Sequence, residues 1–280
     1  VDGGAWYYGS YIRYYQQALD DARYLYDTWT ICDVRRDVPS GGRLRAYDIV
    51  IWSAPQDSPG LVGAEKAIVA YLDNGGRLLL SGQDIAFWDG GGAIFTYAPY
   101  FTLYLKAAYV RDDGGRADII GTPGELFAGL RWPLNGDDSA GNQAYPDVIA
   151  AANPEHAHEL ATYADDGSAA LRVDTCLPYR VIYLAAGLEG LSDRAGRAEL
   201  LARALEWLVA PRAATGLEIT ASRQPALPLD GQIITHTVRL RNTGALTDTY
   251  DLALTGAAWP TTLWDATFQR PISPAVTVGS

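Results

Sequence analysis

The chain has 280 residues, more than one small domain needs, and it is 48% hydrophobic and 20% charged, which excludes a disordered polypeptide. A net charge of −11 repels phosphate backbones and anionic bilayers, so nucleic-acid and membrane-surface partners are disfavoured. No apolar run approaches the ~20 residues of a membrane helix, and no signal-peptide pattern is present.

Val1-Asp2-Gly3-Gly4 reads as the end of a strand with its glycine turn, so most of a central strand is expected to lie outside this sequence. Tyr11, Ile12, Tyr14, Tyr15, Ala18, Leu19 and Ala22 recur at helical spacing. Residues 24–31 are aromatic and β-branched and predict a strand. Residues 49–52 form a short continuous apolar run, the mark of a strand buried on both faces. A helix is expected from Leu61 to Asn74, stopped by Gly75-Gly76, with Leu78-Leu79-Leu80 as the next buried strand. Strands separated by such helices imply right-handed crossovers and a parallel sheet.

The middle is less regular. Residues 94–105 predict a helix interrupted near Pro99, and 107–150 hold short β-like pieces broken by Gly and Pro. Asp165-Asp166-Gly167 lies between two alternating runs and predicts a hairpin turn. Residues 180–184 form another buried strand, and a helix follows to Val209 with Ser192 as its N-cap and Ala198, Leu201, Leu205 and Leu208 on one face. Pro211 to Gly216 is a linker by composition. Beyond it 217–220, 233–240 and 250–254 alternate with period two, separated by turn signals such as Asn242-Thr243-Gly244. That pattern predicts an antiparallel sandwich, and residues 217–280 are short for one, which needs ~100 residues. Methionine is absent, and the only lysines are Lys66 and Lys106, so a piece of a longer, arginine-rich bacterial protein is expected. Cys32 and Cys176 fit no zinc spacing and form no disulfide framework. They read as part-buried small apolar residues, with one long-range disulfide as the alternative.

In an open α/β sheet ligands sit beyond the carboxyl ends of the strands. The loops 2–9, 53–60, 81–92 and 185–192 should meet there, bringing Asp2, Trp6, Tyr7, Gln83, Asp84, Trp88, Asp89 and Glu189. Carboxylates beside aromatic faces suit a sugar or a hard cation. Helix capping and loop packing are the plainer reading. Asp112, Asp113, Asp137 and Asp138 stand in glycine-rich turns that resemble calcium loops but supply too few oxygens alone. His156 and His158 sit one residue apart without an evident third zinc ligand. The dense aromatics Trp6, Tyr7, Tyr8, Tyr11, Tyr14 and Tyr15, with Trp88, Tyr97, Tyr100 and Tyr104, suit core packing first and a carbohydrate or peptide surface second.

Three stretches carry a resemblance: Tyr47-Asp48-Ile49-Val50-Ile51-Trp52, the block from Tyr71 through Gly75-Gly76-Arg77-Leu78-Leu79-Leu80 to Ser81-Gly82-Gln83-Asp84, and the strand-loop-helix around Glu189. Together they resemble the class I glutamine amidotransferase-like fold, which includes the ThuA-like proteins. The resemblance implies a flavodoxin-like parallel sheet with helices on both faces across 1–210. The family's nucleophilic cysteine stands in a Gly-x-Cys-x-Gly turn, but here the turn is Ser81-Gly82-Gln83-Asp84. The family's His-Pro-Glu reads Gly187-Leu188-Glu189, so the glutamate is kept and the base is glycine. Without thiolate or imidazole, acyl transfer has no attacking group and no proton acceptor. Ser81 as a substitute lacks both a base and a Gly-x-Ser-x-Gly elbow, since the histidines are His156, His158 and His236.

Ser-Gly-Gln-Asp after the leucine strand, Asn142-Gln143-Ala144-Tyr145-Pro146-Asp147-Val148-Ile149, and the helix Arg197-Ala198-Glu199-Leu200-Leu201-Ala202-Arg203-Ala204-Leu205-Glu206-Trp207-Leu208 are similar to an accessory domain of secreted bacterial proteases of the subtilisin (S8) and immune-inhibitor-A (M6) kinds. Residues 217–280 resemble the Ig-like repeats that follow it. The resemblance implies a non-catalytic, secreted accessory segment covalently linked to a subtilisin-like protease, with binding or spacing as its task and no cofactor beyond calcium. A carbohydrate-binding module, which requires Trp6 and Trp88 exposed beside a cleft, is one alternative. A ThuA-like sugar hydrolase, which requires Asp2, Asp84 and Glu189 to converge, is the other.

Overall fold

The computed structural model builds residues Val1–Ala210 around one nine-stranded sheet. It describes residues 1–93, 97–115, 118–164, 167–174 and 178–211, and, further on, 217–221, 233–242, 248–252, 260–265, 267, 269–272 and 275–278. The strands are β1 (Val50–Ser53), β2 (Arg77–Ser81), β3 (Ala107–Asp112), β4 (Ile119–Gly121), β5 (Arg131–Trp132), β6 (Asp147–Ala151), β7 (Ala157–Tyr163), β8 (Ser168–Val173) and β9 (Arg180–Leu184). Their order is β1-β2-β9-β8-β7-β4-β5, with β6 paired to β8 and β3 to β6. The helices are α1 (Ile12–Asp21), α2 (Gly41–Leu44), α3 (Glu65–Leu72), α4 (Ile85–Asp89), α5 (Pro99–Leu103) and α6 (Arg194–Val209).

Alternation of side chains across the pleat sorts the core into two layers. Leu78 and Leu80 of β2 and Val181 and Tyr183 of β9 face the layer of Ile68, Tyr71 and Leu72 from α3. Leu79, Ile182 and Leu184 face the layer of Tyr15, Ala18 and Leu19 from α1 and Leu200, Leu201, Ala204, Leu205 and Leu208 from α6. Helices therefore cover both faces of an α/β sheet.

The sheet is mixed, where a parallel one is expected from the sequence. Only β1–β2 and β2–β9 are parallel ladders, extended by single parallel bridges from Asp2 to Ser53 and Thr30. β9–β8, β8–β7, β7–β4, β4–β5, β6–β8 and β3–β6 are antiparallel. The cause is connection length: among the described residues from 107 to 173 no crossover helix separates the strands, and short turns can join only antiparallel neighbours. The hairpin expected around residues 165–167 is the β7–β8 pair, although Asp165 and Asp166 lie outside the described residues.

Residues 24–31 form no strand. Thr30 alone bridges to Asp2, with Trp29 O and Ile31 N bonded to Asp2 on either side, Leu25 is fully exposed, and a β-prone run with a single residue to pair with stays irregular. Of the helix expected over 94–105, residues 94–96 lie outside the described residues, and α5 starts at Pro99, whose fixed φ suits a first helical position, and ends at Leu103. Asp193, not Ser192, is the N-cap of α6; its side chain accepts from Ala195 N, while Ser192 Oγ accepts from Gly136 N at 2.6 Å. On α6 Ala198 is half-buried, and Leu200 and Ala204 complete the face in its place. Cys32 is exposed rather than part-buried, and Cys176 lies outside the described residues.

Residues Pro211–Ser280 form a second unit. Among its described residues, β10 (Leu217–Ala221) pairs antiparallel with β11 (Val238–Asn242), and β12 (Asp248–Asp251) with β13 (Ala275–Val278). The strand expected from 233 begins only at Val238, and Thr243, Gly244 and residues 253–254 are outside the described residues.

Candidate functional site

The carboxyl ends of β1, β2 and β9 carry two polar networks. The first is closed. Ser81 ends β2 and is fully buried. Its hydroxyl donates to Ala186 O at 3.1 Å and accepts from Leu188 N at 2.8 Å. Tyr15, on the inner face of α1, places its hydroxyl 3.0 Å from Ser81 Oγ and 2.9 Å from Glu189 Oε2. Glu189 is fully buried on a 3-10 turn (Leu188–Gly190), and its Oε1 accepts from Asn142 Nδ2 at 3.0 Å and Gln143 Nε2 at 3.4 Å. Burial raises its carboxyl, and the bonds from Asn142, Tyr15 and Gln143 pull the other way. Gln143 Oε1 accepts from Gly187 N at 2.7 Å, and Gln83 Oε1 accepts from Ala144 N at 2.8 Å and Tyr145 N at 3.2 Å. A Cβ on Gly187 would stand 2.2 Å from Glu189 Oε1. The glutamate therefore occupies the space a side chain at 187 would need.

The second network is acidic and incomplete. Asp57, in the loop after β1, is fully buried; its Oδ2 accepts from Trp6 Nε1 at 3.0 Å and its Oδ1 has no partner. Burial pushes its carboxyl up to about 7 against the Trp6 bond, and Asp2 and Asp89 push it further. Asp84, just past β2, is half-buried and is likewise pushed up to about 7, by burial first and then by Asp112 and Asp57. Asp147 opens β6 and is raised to about 9 by burial, although its Oδ2 accepts from Ala86 N at 2.7 Å and Phe87 N at 3.0 Å at the start of α4. Asp2 is buried with Oδ2 bonded to Ser10 Oγ at 2.7 Å and Oδ1 unpartnered, and burial raises it too. Asp89 is fully partnered by Ser58, Gly60 N and Tyr100. Perturbed carboxyls of this kind cluster at functional sites.

The predicted site residues thus divide. Gln83 and Glu189 belong to the closed network, Asp2 and Asp84 to the acidic one, and Asp89 to a packed corner. Asp2 and Glu189 take their hydrogen bonds from different partners. The charges acting on Asp84 are those of Asp112 and Asp57, and none of the three bonds to another. Trp6 and Trp88 are half-buried, and their indole N–H groups turn inward to Asp57 and to Gln56 O. Tyr7 is the exposed ring of the loop, 75% accessible, with Trp6 and Tyr8 centroids 5.5 and 5.0 Å away. Sequence reasoning missed Asp57, Asn142, Gln143 and Asp147 as site residues and read Tyr15 as core packing first and a carbohydrate or peptide surface second. Asp147 left a signal: an aspartate at the head of the apolar run Val148-Ile149-Ala150-Ala151.

Among the described residues no group of three or more His, Cys, Asp or Glu side chains is gathered to hold a metal. Asp138 caps α6 instead: its oxygens accept from Asp193 N and Arg194 N, each at 2.7 Å, and it pairs with the buried Arg197. Asp113 Oδ1 bonds Gly115 N within its own turn, and Asp112 and Asp137 are exposed. Asp138→Ala is expected to cost about 1–2 kcal/mol through the lost cap, with a melting temperature that calcium neither raises in the parent nor restores in the variant. A calcium-dependent melting temperature would contradict this assignment.

No protein-family model matches the chain, and no curated protein matches it. Among similar solved structures is a protein of Thermoplasma acidophilum described as a candidate GMP synthase subunit. It is 13% identical, with a TM-score of 0.46, over 70% of this chain and 87% of that one. No residue role is carried over from it. No helix among the described residues is long and apolar enough to cross a membrane.

Proposed function

We propose that residues 1–210 are a non-catalytic domain of amidotransferase-like type, carried as an accessory region by a secreted bacterial subtilisin-like protease and followed by a partial Ig-like sandwich in 217–280. One observation supports the non-catalytic part above all: the place of a base at Gly187 is filled by the Glu189 carboxylate, 2.2 Å from where a Cβ would lie. Ser81 is spent on three internal bonds, so it has neither a base nor an approach for a substrate. The binding role rests on the acidic network, whose carboxyls are left short of partners.

Assays of the purified chain with glutamine, p-nitrophenyl acetate and p-nitrophenyl glycosides should release nothing above the buffer rate. Turnover that Ser81→Ala or Glu189→Gln abolishes would overturn the non-catalytic reading. The accessory reading expects subtilisin-type Asp, His and Ser segments in the same open reading frame, and a frame without them removes it.

A further inference from the structure

We infer that the gap between β1 and residues 24–29 is a slot for one more strand, filled by an extended apolar segment that runs parallel to β1 and is joined by its carboxyl end to Val1. Residues 1–3 already lie at the end of this slot with a neighbour on each side. On one side Val1 N donates to Ile51 O at 2.6 Å, Ser53 N to Val1 O at 2.9 Å and Gly3 N to Ser53 O at 2.8 Å. On the other, Asp2 N donates to Trp29 O at 2.8 Å and Ile31 N to Asp2 O at 3.1 Å. Both pairings are parallel. At Asp2 the two walls therefore stand two strand spacings apart, about 10 Å. Tyr47 reaches from one wall to the other, its hydroxyl donating to Asp27 Oδ2 at 3.1 Å.

The backbone of both walls is left open behind Val1. Hydrogen-bonding groups alternate from side to side along a strand. Ala54 N donates to Ser81 O in β2, so the groups of residues 50 and 52 face β2 and those of 49 and 51 face the slot. On the facing wall the N–H groups of Asp27 and Trp29 have no acceptor among the described residues. Burial agrees: Val50 and Trp52 are buried, whereas Ile49 and Ile51, on the opposite face of β1, are half-buried, and Leu25 and Tyr26 are exposed. Apolar layers lie on both faces, with Ile49 and Ile51 against the layer of α1 and Val1 and Trp29 against the layer of α3. A strand covered on both faces is apolar throughout. The same register sets the residue before Val1 opposite Ile51 and Thr28, and a segment of about five residues reaches Tyr47 and Tyr24.

The test compares the whole chain with three versions that carry a short extension before Val1: Val-Val-Ile-Val-Val, the same segment with proline in the middle, and Gly-Ser-Gly-Ser-Gly. The apolar extension should raise the melting temperature by at least ~5 °C and slow hydrogen exchange at the Asp27 and Trp29 amides at least ~100-fold. Proline has no N–H for the ladder, so it should remove most of both gains. The Gly-Ser extension should give neither. In the unextended chain the two amides should exchange within ~10-fold of the rate of an unfolded peptide. Protected Asp27 and Trp29 amides in the unextended chain, equal gains from the proline or Gly-Ser extension, or no gain from the apolar one would overturn the proposal.

Discussion

Gly82→Ala should lower the melting temperature by roughly 10 °C or leave the chain insoluble. Gly82 follows β2 where the chain turns toward α4. A Cβ there would lie 1.8 Å from Ala54 O and 2.8 Å from its carbonyl carbon. Both are backbone atoms, and Ala54 is tied in place by its own N–H to Ser81 O at 2.8 Å. Relief therefore requires the ends of β1 and β2 to part, which breaks the parallel ladder at its carboxyl end. Overpacking of this sort costs about 1–3 kcal/mol when side chains can yield and more when only backbone can. Gly187→Ala should also destabilise, because the carboxylate it would strike is held by Tyr15 and Asn142 and has limited room to swing. Gly42→Ala is the control: the nearest atoms to its Cβ are 3.8 Å away, and alanine favours the helix it sits in. Thermal melts of the three variants decide the matter. Equal melting of Gly82→Ala and Gly42→Ala would mean that the β1 and β2 ends are not packed as described.

The strands of the parallel core were legible because burial on both faces leaves a blunt mark. Leu78-Leu79-Leu80 and Val181-Ile182-Tyr183-Leu184 are continuous apolar runs, and both lie in strands. Helix α1 was legible from its spacing, with Tyr14, Tyr15, Ala18 and Leu19 buried as the period requires. Residues 24–31 misled because β-propensity describes how a residue fits a sheet, not whether a partner strand lies beside it. The antiparallel half was unreadable as such for a related reason. Strand direction depends on connections, and Gly and Pro in 107–150 announce breaks without saying which way the chain returns.

The closed network illustrates a second limit. Glu189 stood out by its place after β9, but its partners come from 174, 47 and 46 residues away in sequence: Tyr15, Asn142 and Gln143. No local pattern links them. The acidic network shows the same thing for Asp147, which joins α4 from 61 residues away. Loops at a switch point can be named from the sequence. Which of their carboxylates are satisfied and which are left open is settled only by packing.

The open carboxylates predict an unusual dependence of stability on pH. A carboxyl whose pKa is higher in the folded chain than in the unfolded one keeps more protons when folded between those two values. Stability then falls as pH rises through that window. For Asp147 the window runs from 3.8 to about 9, and for Asp57 and Asp84 from 3.8 to about 7, with burial as the leading cause in each. Asp138, held below its usual range by Asp193 N, Arg194 N and Arg197 against the cost of burial, acts oppositely and only in stronger acid. The first unit should therefore melt highest near pH 5 and lose stability toward pH 8.5. Asp147→Asn separates this effect from the general repulsion of a chain of net charge −11. Asparagine keeps an oxygen for Ala86 N and Phe87 N but has no charge to bury. Its melting temperature should match the parent's at pH 5 and exceed it by about 5 °C at pH 8.5, since each kcal/mol moves a unit of this size by about 2–4 °C. A parent that grows more stable from pH 5 to 8.5, or a variant with the parent's full pH dependence, would mean that Asp147 carries its charge in the folded chain and that a counter-charge reaches it.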